Sequence, residues 1–245
     1  MTKVITEKTK KILQMIAENG YMSVKEIEMI VRSRMQAFRY VNNLMTMKGL
    51  MTFFDTGLKP SKAYFLTKKG ADSLASVGLL RVTSLFKPCD FGPTEFYHNL
   101  SIAKARIALE KHPYYLDFET PRVLMARIGD LPELKPDAEI IFRENLTAET
   151  QTFRAGLEVE LRPKWHKRNI RKMKKFDSGK FNHLKSVIWV CGDSVTKDAL
   201  IRSIKDSRVT EPGKHRFLLL SELLEQGVMS CRVADWQGRE CGLFI

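Results

Sequence analysis

Pro136-Asp137 and the hexapeptide Gly156-Leu157-Glu158-Val159-Glu160-Leu161 decide the predicted fold of the second half of this chain. The proline sets the start of one predicted strand, and the hexapeptide forms a second. Side chains on a strand repeat every two residues, so Glu158 and Glu160 share a face. A turn over residues 143–150 would bring Asp137 beside both glutamates. Because hard divalent ions accept such oxygen ligands, the pattern predicts that Asp137, Glu158 and Glu160 bind Mg²⁺ or Mn²⁺ and activate water against a phosphodiester.

A solvated strand face is the alternative interpretation of the two glutamates. Three features favour the metal site: residues 155–161 are otherwise apolar, Pro136 fixes the start of the neighbouring strand, and a basic segment without acids follows. That segment contains Arg162, Lys164, Lys167, Arg168, Arg171, Lys172, Lys174 and Lys175. Carboxylates next to a basic track are typical of a nuclease.

Composition points to a polyanionic partner. The chain has 245 residues, of which 44% are hydrophobic, so it can bury hydrophobic cores. Its net charge of +13 favours binding to a polyanion. Nucleic acid is the first candidate partner and an anionic membrane surface the second. No apolar run approaches the roughly 20 residues that span a bilayer, and no signal-peptide core opens the sequence. The 4 cysteines are scattered, which indicates neither a zinc site nor a disulfide framework and favours a cytoplasmic protein.

The first 78 residues predict three helices followed by a β-hairpin. Helices are expected over residues 7–19, from the capping box Ser23–Glu26 to residue 31, and over residues 34–48. Strands at 50–54 and 63–67 and a closing helix at 68–75 follow. This order is that of a winged helix-turn-helix.

The third helix is the predicted DNA-reading element of this domain. Its helical wheel places Phe38, Val41, Asn42 and Met45 inward and Gln36, Arg39, Tyr40 and Asn43 outward. The outward groups can contact base edges and phosphates in the major groove, and Lys59 and Lys62 on the wing suit phosphate contacts. A purely structural three-helix cluster or a protein-interaction module remains the alternative.

Residues 79–92 are predicted to be a linker, and residues 93–245 a second, α/β/α domain. A helix over 93–111 precedes strands at 114–119, 138–142 and 155–161; a basic helix at 165–176, a strand at 186–191, a helix at 196–205 and a strand at 217–220 follow. Glu119 could join the acidic cluster, and His98 is predicted to be structural. The last 20 residues are predicted to be a terminal extension.

Tyr97-His98-Asn99-Leu100, then Pro136-Asp137, then Leu157-Glu158-Val159-Glu160-Leu161, all after a winged helix, resemble the replication-relaxation family. More narrowly, the order resembles plasmid mobilization relaxases of the MobC type, over about residues 5–220. The second half is similar to the PD-(D/E)xK nucleases, the fold of many restriction endonucleases. The resemblance implies an α+β two-domain protein that nicks double-stranded plasmid DNA at a transfer origin, with accessory mobilization or coupling proteins as partners and no membrane.

By this resemblance Asp137 and Glu158 are the two metal-binding acids, but the lysine of the motif is replaced by Glu160. Either Glu160 adds a carboxylate to a working site or the motif is lost. Lys164 begins the next element and could restore the positive charge, so Lys164 and Glu160 are the candidate catalytic residues. Lys167, Arg168, Arg171, Lys172 and Lys175 would hold the DNA backbone. A non-catalytic DNA-binding regulator or replication initiator and a double-strand nuclease are the alternatives.

Overall fold

The structure is a computed structural model that describes residues 6–129, 135–144 and 151–243. The chain divides into two compact units: Met1–Ile107 with Arg122–Leu131, and Ala108–Pro121 with Pro132–Ile245. This division differs from the predicted linker at residues 79–92. In the first unit Val82 and Phe86 are buried, because each packs into one of that unit's apolar clusters.

The first unit contains helices, a short hairpin and a closing helix in the predicted order. Its elements are α1 (Glu7–Asn19), α2 (Val24–Val31), α3 (Arg34–Asn42), β1 (Met51–Asp55), β2 (Lys62–Leu66), α4 (Lys68–Ala75), most of α5 (Phe96–Leu109) and most of α6 (Pro121–Ile128). The predicted capping box is present. The Ser23 side chain accepts a hydrogen bond from the main chain of the first helical turn, and the Glu26 side chain accepts one from the main chain of Ser23. β1 and β2 pair antiparallel.

The third helix differs from its prediction in length and in orientation. It is α-helical only to Asn42 and continues as a π-helical turn over Asn43–Met47. Ala37, Val41 and Leu44 form its buried side. Phe38, predicted to face inward, is 48% exposed, with the Arg34 guanidinium 5.9 Å from its ring centroid; Asn42 is exposed as well. The small Ala37 occupies the core position instead, which turns Phe38 by about 100° towards solvent.

The second unit is built on a seven-stranded mixed sheet. Its elements are β3 (Tyr115–Glu119), β4 (Ala138–Arg143), β5 (Thr152–Glu160), α7 (His166–Phe176), β6 (Leu184–Cys191), α8 (Ser194–Ser207), β7 (His215–Leu219), α9 (Leu220–Glu225), β8 (Val233–Ala234) and β9 (Glu240–Cys241). The strands lie in chain order. β5 and β6, and β6 and β7, are parallel; the other neighbours are antiparallel.

The C-terminal segment was wrongly predicted to be an extension. β8 and β9 are strands of two residues that add to the edge of the sheet beside β7, with Ala234 opposite Phe217. Two-residue strands carry too little pattern to be recognised in a sequence. Most of the predicted hairpin turn between β4 and β5, residues 145–150, lies outside the described residues; Glu144 N donates to Gln151 O at 2.9 Å.

One face of the sheet is covered by α7 and determines where the site lies. Glu158 pairs in register with Trp189, and Trp189 pairs with Phe217, so the three side chains share a face. Met173 and Phe176 of α7 pack on that face in one apolar cluster with Trp189 and Phe217. Glu158 therefore lies under a helix rather than in solvent. Among the described residues, every helix is too short or too polar to span a lipid bilayer.

Candidate active site: buried carboxylates beneath a basic helix

Asp137 is held against β5 by main-chain hydrogen bonds. Its carboxylate oxygen Oδ2 accepts from Val159 N at 2.7 Å, and its own N–H donates to Leu157 O at 2.9 Å. The strand start set by Pro136-Asp137 is thus joined directly to the strand that carries both glutamates. This juxtaposition was predicted from the sequence, and the structure places the residues accordingly.

Glu158 and Glu160 are buried, at 0% and 2% exposure. The alternative interpretation, a solvated strand face, is therefore wrong. Burying carboxylates costs free energy unless a positive charge or hydrogen bonds compensate them. The sheet register imposes the burial, because the neighbouring strand residues on both sides are core positions.

The ammonium group of Lys172 compensates both glutamates. It pairs closely with Glu158 Oε2 and lies 3.2 Å from Glu160 Oε1. The side chain reaches from α7 across the ring of Trp189, with Nζ 5.7 Å from the ring centroid. Lys172 was predicted to lie on the DNA-binding face of this helix; the structure places it among the carboxylates instead.

Lys164 also reaches the site, as the sequence predicted. Its ammonium pairs closely with Glu160 Oε2, whereas Lys172 lies beside the other carboxylate oxygen of Glu160, Oε1. A small cleft surrounds this pair, and Arg162, Pro163, Asn169, Thr196 and Leu200 complete its lining. Two lysines from outside the strand, Lys164 and Lys172, therefore place positive charge beside Glu160.

The electrostatics of the site follow from burial and from an excess of carboxylates. Burial, and then the neighbouring charge of Asp137, raise the pKa of Glu158 well above its ordinary value; Lys172 opposes this shift. Burial alone would lower the pKa of Lys172, but Glu158, Asp137 and Glu160 together outweigh it, so the pKa of Lys172 is raised. The lysine therefore stays charged, and Glu158 readily takes up a proton.

The donor set fits a hard divalent cation, although Lys172 competes for the same oxygens. Glu158 Oε1 is buried and has no hydrogen-bond partner among the described residues. An oxygen-only donor set with an uncompensated buried oxygen suits Mg²⁺ or Mn²⁺. Within the described residues, however, no group of three or more His, Cys, Asp or Glu side chains is arranged to hold a metal. The predicted three-carboxylate ligand set is thus not assembled while Lys172 lies between the glutamates.

The rest of α7 presents a basic surface. Lys167, Arg168 and Arg171 are exposed, and Lys175 is half-buried, all in the predicted segment.

In the first unit Gln36, Arg39 and Asn43 are exposed, whereas Tyr40 packs against the core. Lys59 and Lys62 on the hairpin are exposed, and Lys62 Nζ lies 4.5 Å from the ring centroid of Phe53. His98 is half-buried on α5.

Glu119 belongs to a separate ionic cluster. It lies opposite Glu139 across the β3–β4 pair, and Arg154 of β5 bridges the two carboxylates, with Nη1 2.9 Å from Glu139. His183 lies 3.0 Å from Glu139. This cluster was not predicted from the sequence, although an arginine at position 154, within an otherwise apolar strand, was a usable signal. The cluster neutralises like charges that the strand register forces together.

No family model matches the chain, and no curated protein matches it by sequence. The structure is weakly similar to that of the restriction endonuclease FokI, at 10% sequence identity and a TM-score of 0.32. The similarity covers 91% of this chain and 45% of the FokI chain, so this chain spans less than half the length of that protein.

The raised pKa of Glu158 predicts a specific pH dependence of stability. The folded state holds the proton of the Glu158 carboxyl more tightly than the unfolded state does. The stabilisation that this proton gives the fold is therefore fully present below the ordinary pKa of 4.5 and is lost as pH rises through the raised pKa. Glu158→Gln should therefore gain unfolding free energy over the wild type as pH rises from 4.5 towards the raised pKa, by about 1.4 kcal/mol for each unit traversed.

Urea titrations followed by tryptophan fluorescence measure this difference, because Trp165, Trp189 and Trp236 all belong to the second unit. Groups such as His215, whose pKa burial lowers to about 3, titrate in both proteins and cancel. Glu225→Gln, at an exposed position, is the matched control. If the unfolding free energies of wild type and Glu158→Gln change with pH in the same way, the raised pKa of Glu158 is contradicted.

Proposed function

We propose that this chain is a metal-dependent DNA endonuclease, with Asp137 and Glu158 as its metal-binding acids. The observation that carries the proposal is the buried Glu158, whose Oε1 has no hydrogen-bond partner among the described residues, next to an Asp137 fixed by the same strand. The exposed basic residues of α7 adjoin these acids and offer a surface for a phosphodiester backbone.

The roles of the residues follow from their positions. Asp137 and Glu158 would hold Mg²⁺ or Mn²⁺, which when bound lowers the pKa of a coordinated water and neutralises charge on the phosphate. Glu160 orients two cations, since it pairs with both Lys164 and Lys172. A preorganised cation stabilises the negative charge that develops during cleavage, and Lys172 or Lys164 supplies it.

The finer proposal is that cleavage nicks one strand at a plasmid transfer origin, as in mobilization relaxases. It rests on the order of the sequence motifs: Tyr97–Leu100, then Pro136-Asp137, then Leu157–Leu161. The accessory mobilization or coupling proteins and the cytoplasmic location belong to the same proposal.

The first unit would read the DNA as a winged helix. Its order of three helices and a hairpin and the exposed Gln36, Arg39 and Asn43 on or just beyond α3 support this role. Arginine and asparagine are the side chains that pair with guanine and adenine edges in the major groove. Lys59 and Lys62 would contact phosphates beside the recognised bases.

A non-catalytic DNA-binding regulator or initiator is the second candidate. One observation favours it: Lys172 already neutralises the glutamates without a metal, and the motif lysine is replaced by Glu160. Such a protein would keep the nuclease-like scaffold and lose the reaction.

The proposal predicts that Asp137→Asn abolishes cleavage and leaves DNA affinity unchanged, because the acid would bind metal and the basic surface would bind DNA. Supercoiled plasmid carrying the DNA that flanks the chain's own gene is incubated with Mg²⁺, with Mn²⁺ or with EDTA. Open circles indicate nicking, and linear product indicates a double-strand nuclease. Glu225→Gln is the control, and metal-independent cleavage or full activity of Asp137→Asn would refute the metal site.

Lys172 is expected to contribute more to cleavage than Lys164, because it contacts both glutamates. Lys172→Ala should slow single-turnover cleavage at saturating protein by about 100-fold or more, and Lys164→Ala by less. Lys172→Arg keeps the charge and should recover part of the rate, and Lys174→Ala, exposed on the same helix, should have no effect. If neither alanine variant slows cleavage, neither lysine replaces the lysine of the PD-(D/E)xK motif, and Glu160 marks the loss of that motif.

Sequence reading by α3 predicts that Arg39→Ala and Asn43→Ala each weaken binding to the cognate site by roughly 1–3 kcal/mol. Their affinity for unrelated DNA should fall much less. Lys25→Ala, an exposed cation on α2, serves as the control. Fluorescence anisotropy in EDTA measures both affinities. Wild-type specificity in both variants would place the recognition surface elsewhere.

A further inference from the structure

Trp165 is the most exposed large apolar side chain of the described residues. It is 86% exposed, and the next, Met229, is 66% exposed. Isolated exposed aliphatic residues are common, but a tryptophan carries the largest apolar surface of any residue and is usually buried or in contact with a partner. An indole held in solvent therefore calls for a ligand that covers it.

The backbone of Trp165 is held rigidly at the start of α7. Its carbonyl accepts from Arg168 N at 2.8 Å and from Asn169 N at 3.2 Å. The next residue, His166, is anchored to α8, because its ring nitrogens lie 2.9 Å from Ser203 Oγ and 3.2 Å from Asp206. The indole thus projects from a fixed point, and little conformational entropy is lost when a ligand stacks on it.

Positive charge surrounds the indole and connects it to the carboxylate site. The preceding residue, Lys164, pairs with Glu160, which places Trp165 one residue from the site. Arg162, Lys167 and Arg168 are exposed on either side, and residues 161–176 contain no acid. A flat apolar face among cations is complementary to a nucleobase with its flanking phosphates, whereas an apolar protein surface would not require this density of positive charge. The position next to the buried carboxylates favours a nucleic-acid strand over an anionic lipid surface.

We propose that Trp165 stacks on an unpaired base of single-stranded DNA while Arg162, Lys167 and Arg168 contact the adjacent phosphates. An indole can cover the face of a base only where that face is free, so the ligand is single-stranded or locally unpaired rather than an intact duplex. This inference deepens the proposed function, on which it rests for the role of the neighbouring carboxylates: the site receives an unpaired strand.

The test compares binding of single-stranded and duplex DNA in EDTA, so that cleavage does not intervene. The probes are a fluorescein-labelled oligothymidylate of about 16 nucleotides and a duplex of equal length. Trp165→Ala should weaken binding of the oligothymidylate by about 5- to 150-fold and barely change binding of the duplex. Trp165→Phe, which keeps a stacking ring, should retain most of the affinity. Met229→Ala, another exposed apolar position in the same unit, is the control.

Intrinsic fluorescence provides a second readout. Trp189 is fully buried and Trp236 packs against the core, so stacking should quench mainly Trp165 when unlabelled oligothymidylate is added. The quenching should disappear in Trp165→Phe while that variant still binds. Unchanged oligothymidylate affinity in Trp165→Ala, or an equal loss on both probes, would overturn the inference.

The outcomes also separate this inference from the proposed function. If Trp165→Ala binds oligothymidylate like the wild type while the wild type nicks plasmid, the stacking role is wrong and the nuclease stands. If the wild type cleaves nothing with Mg²⁺ or Mn²⁺ while single-strand affinity depends on Trp165, the nuclease is wrong and the stacking role stands.

Discussion

The fully buried Glu158 is the constraint on which the second unit depends. It lies on a central strand between β4 and β6, on the face that α7 covers. A buried carboxylate needs a compensating charge, and Lys172 provides it from the covering helix. α7 must therefore be close enough for Lys172 to reach across Trp189 while Met173 and Phe176 pack on the sheet. The helix α7 thus covers the hydrophobic core of the second unit, compensates the charge of the buried glutamates and carries the exposed basic surface.

The sequence predicted the elements well where the signals are local. The capping box at Ser23–Glu26, the apolar run that became β6, and the Pro136-Asp137 strand start each depend on neighbouring residues alone. The encounter of Asp137 with β5 was also predictable, because a short connection between two strands leaves antiparallel pairing as the simple arrangement. These features explain why the carboxylate pair at Asp137 and Glu158 could be located without a structure.

The features that were missed depend on tertiary packing. Helical periodicity groups Lys172 with the exposed cations of α7, and only the position of α7 on the sheet shows that it turns inward to Glu158. The same holds for Phe38, where the small Ala37 takes the core position. Arg154 bridges carboxylates on β3 and β4, two partners that lie distant in sequence. Pattern alone cannot rank such long-range contacts against the local interpretation of the same residue.

Glu160 lies where the PD-(D/E)xK motif of the resemblance would have a lysine, which changes the charge of the site rather than simply removing a group. Lys164 and Lys172 pair with Glu160 and Glu158, and burial raises the pKa of Glu158 well above its ordinary value. With a proton on Glu158, the charges of Asp137 and Glu160 balance those of the two lysines. With a lysine at position 160 and the same two external lysines, the cluster would instead carry an excess positive charge. The carboxylate cluster is thus nearly neutral within a protein of net charge +13, while the surrounding basic surface attracts polyanions. Under the proposed function, a divalent cation bound in place of the Glu158 proton would supply the positive charge that Glu160 lacks, which is the physical reason to regard Glu160 as part of a working arrangement.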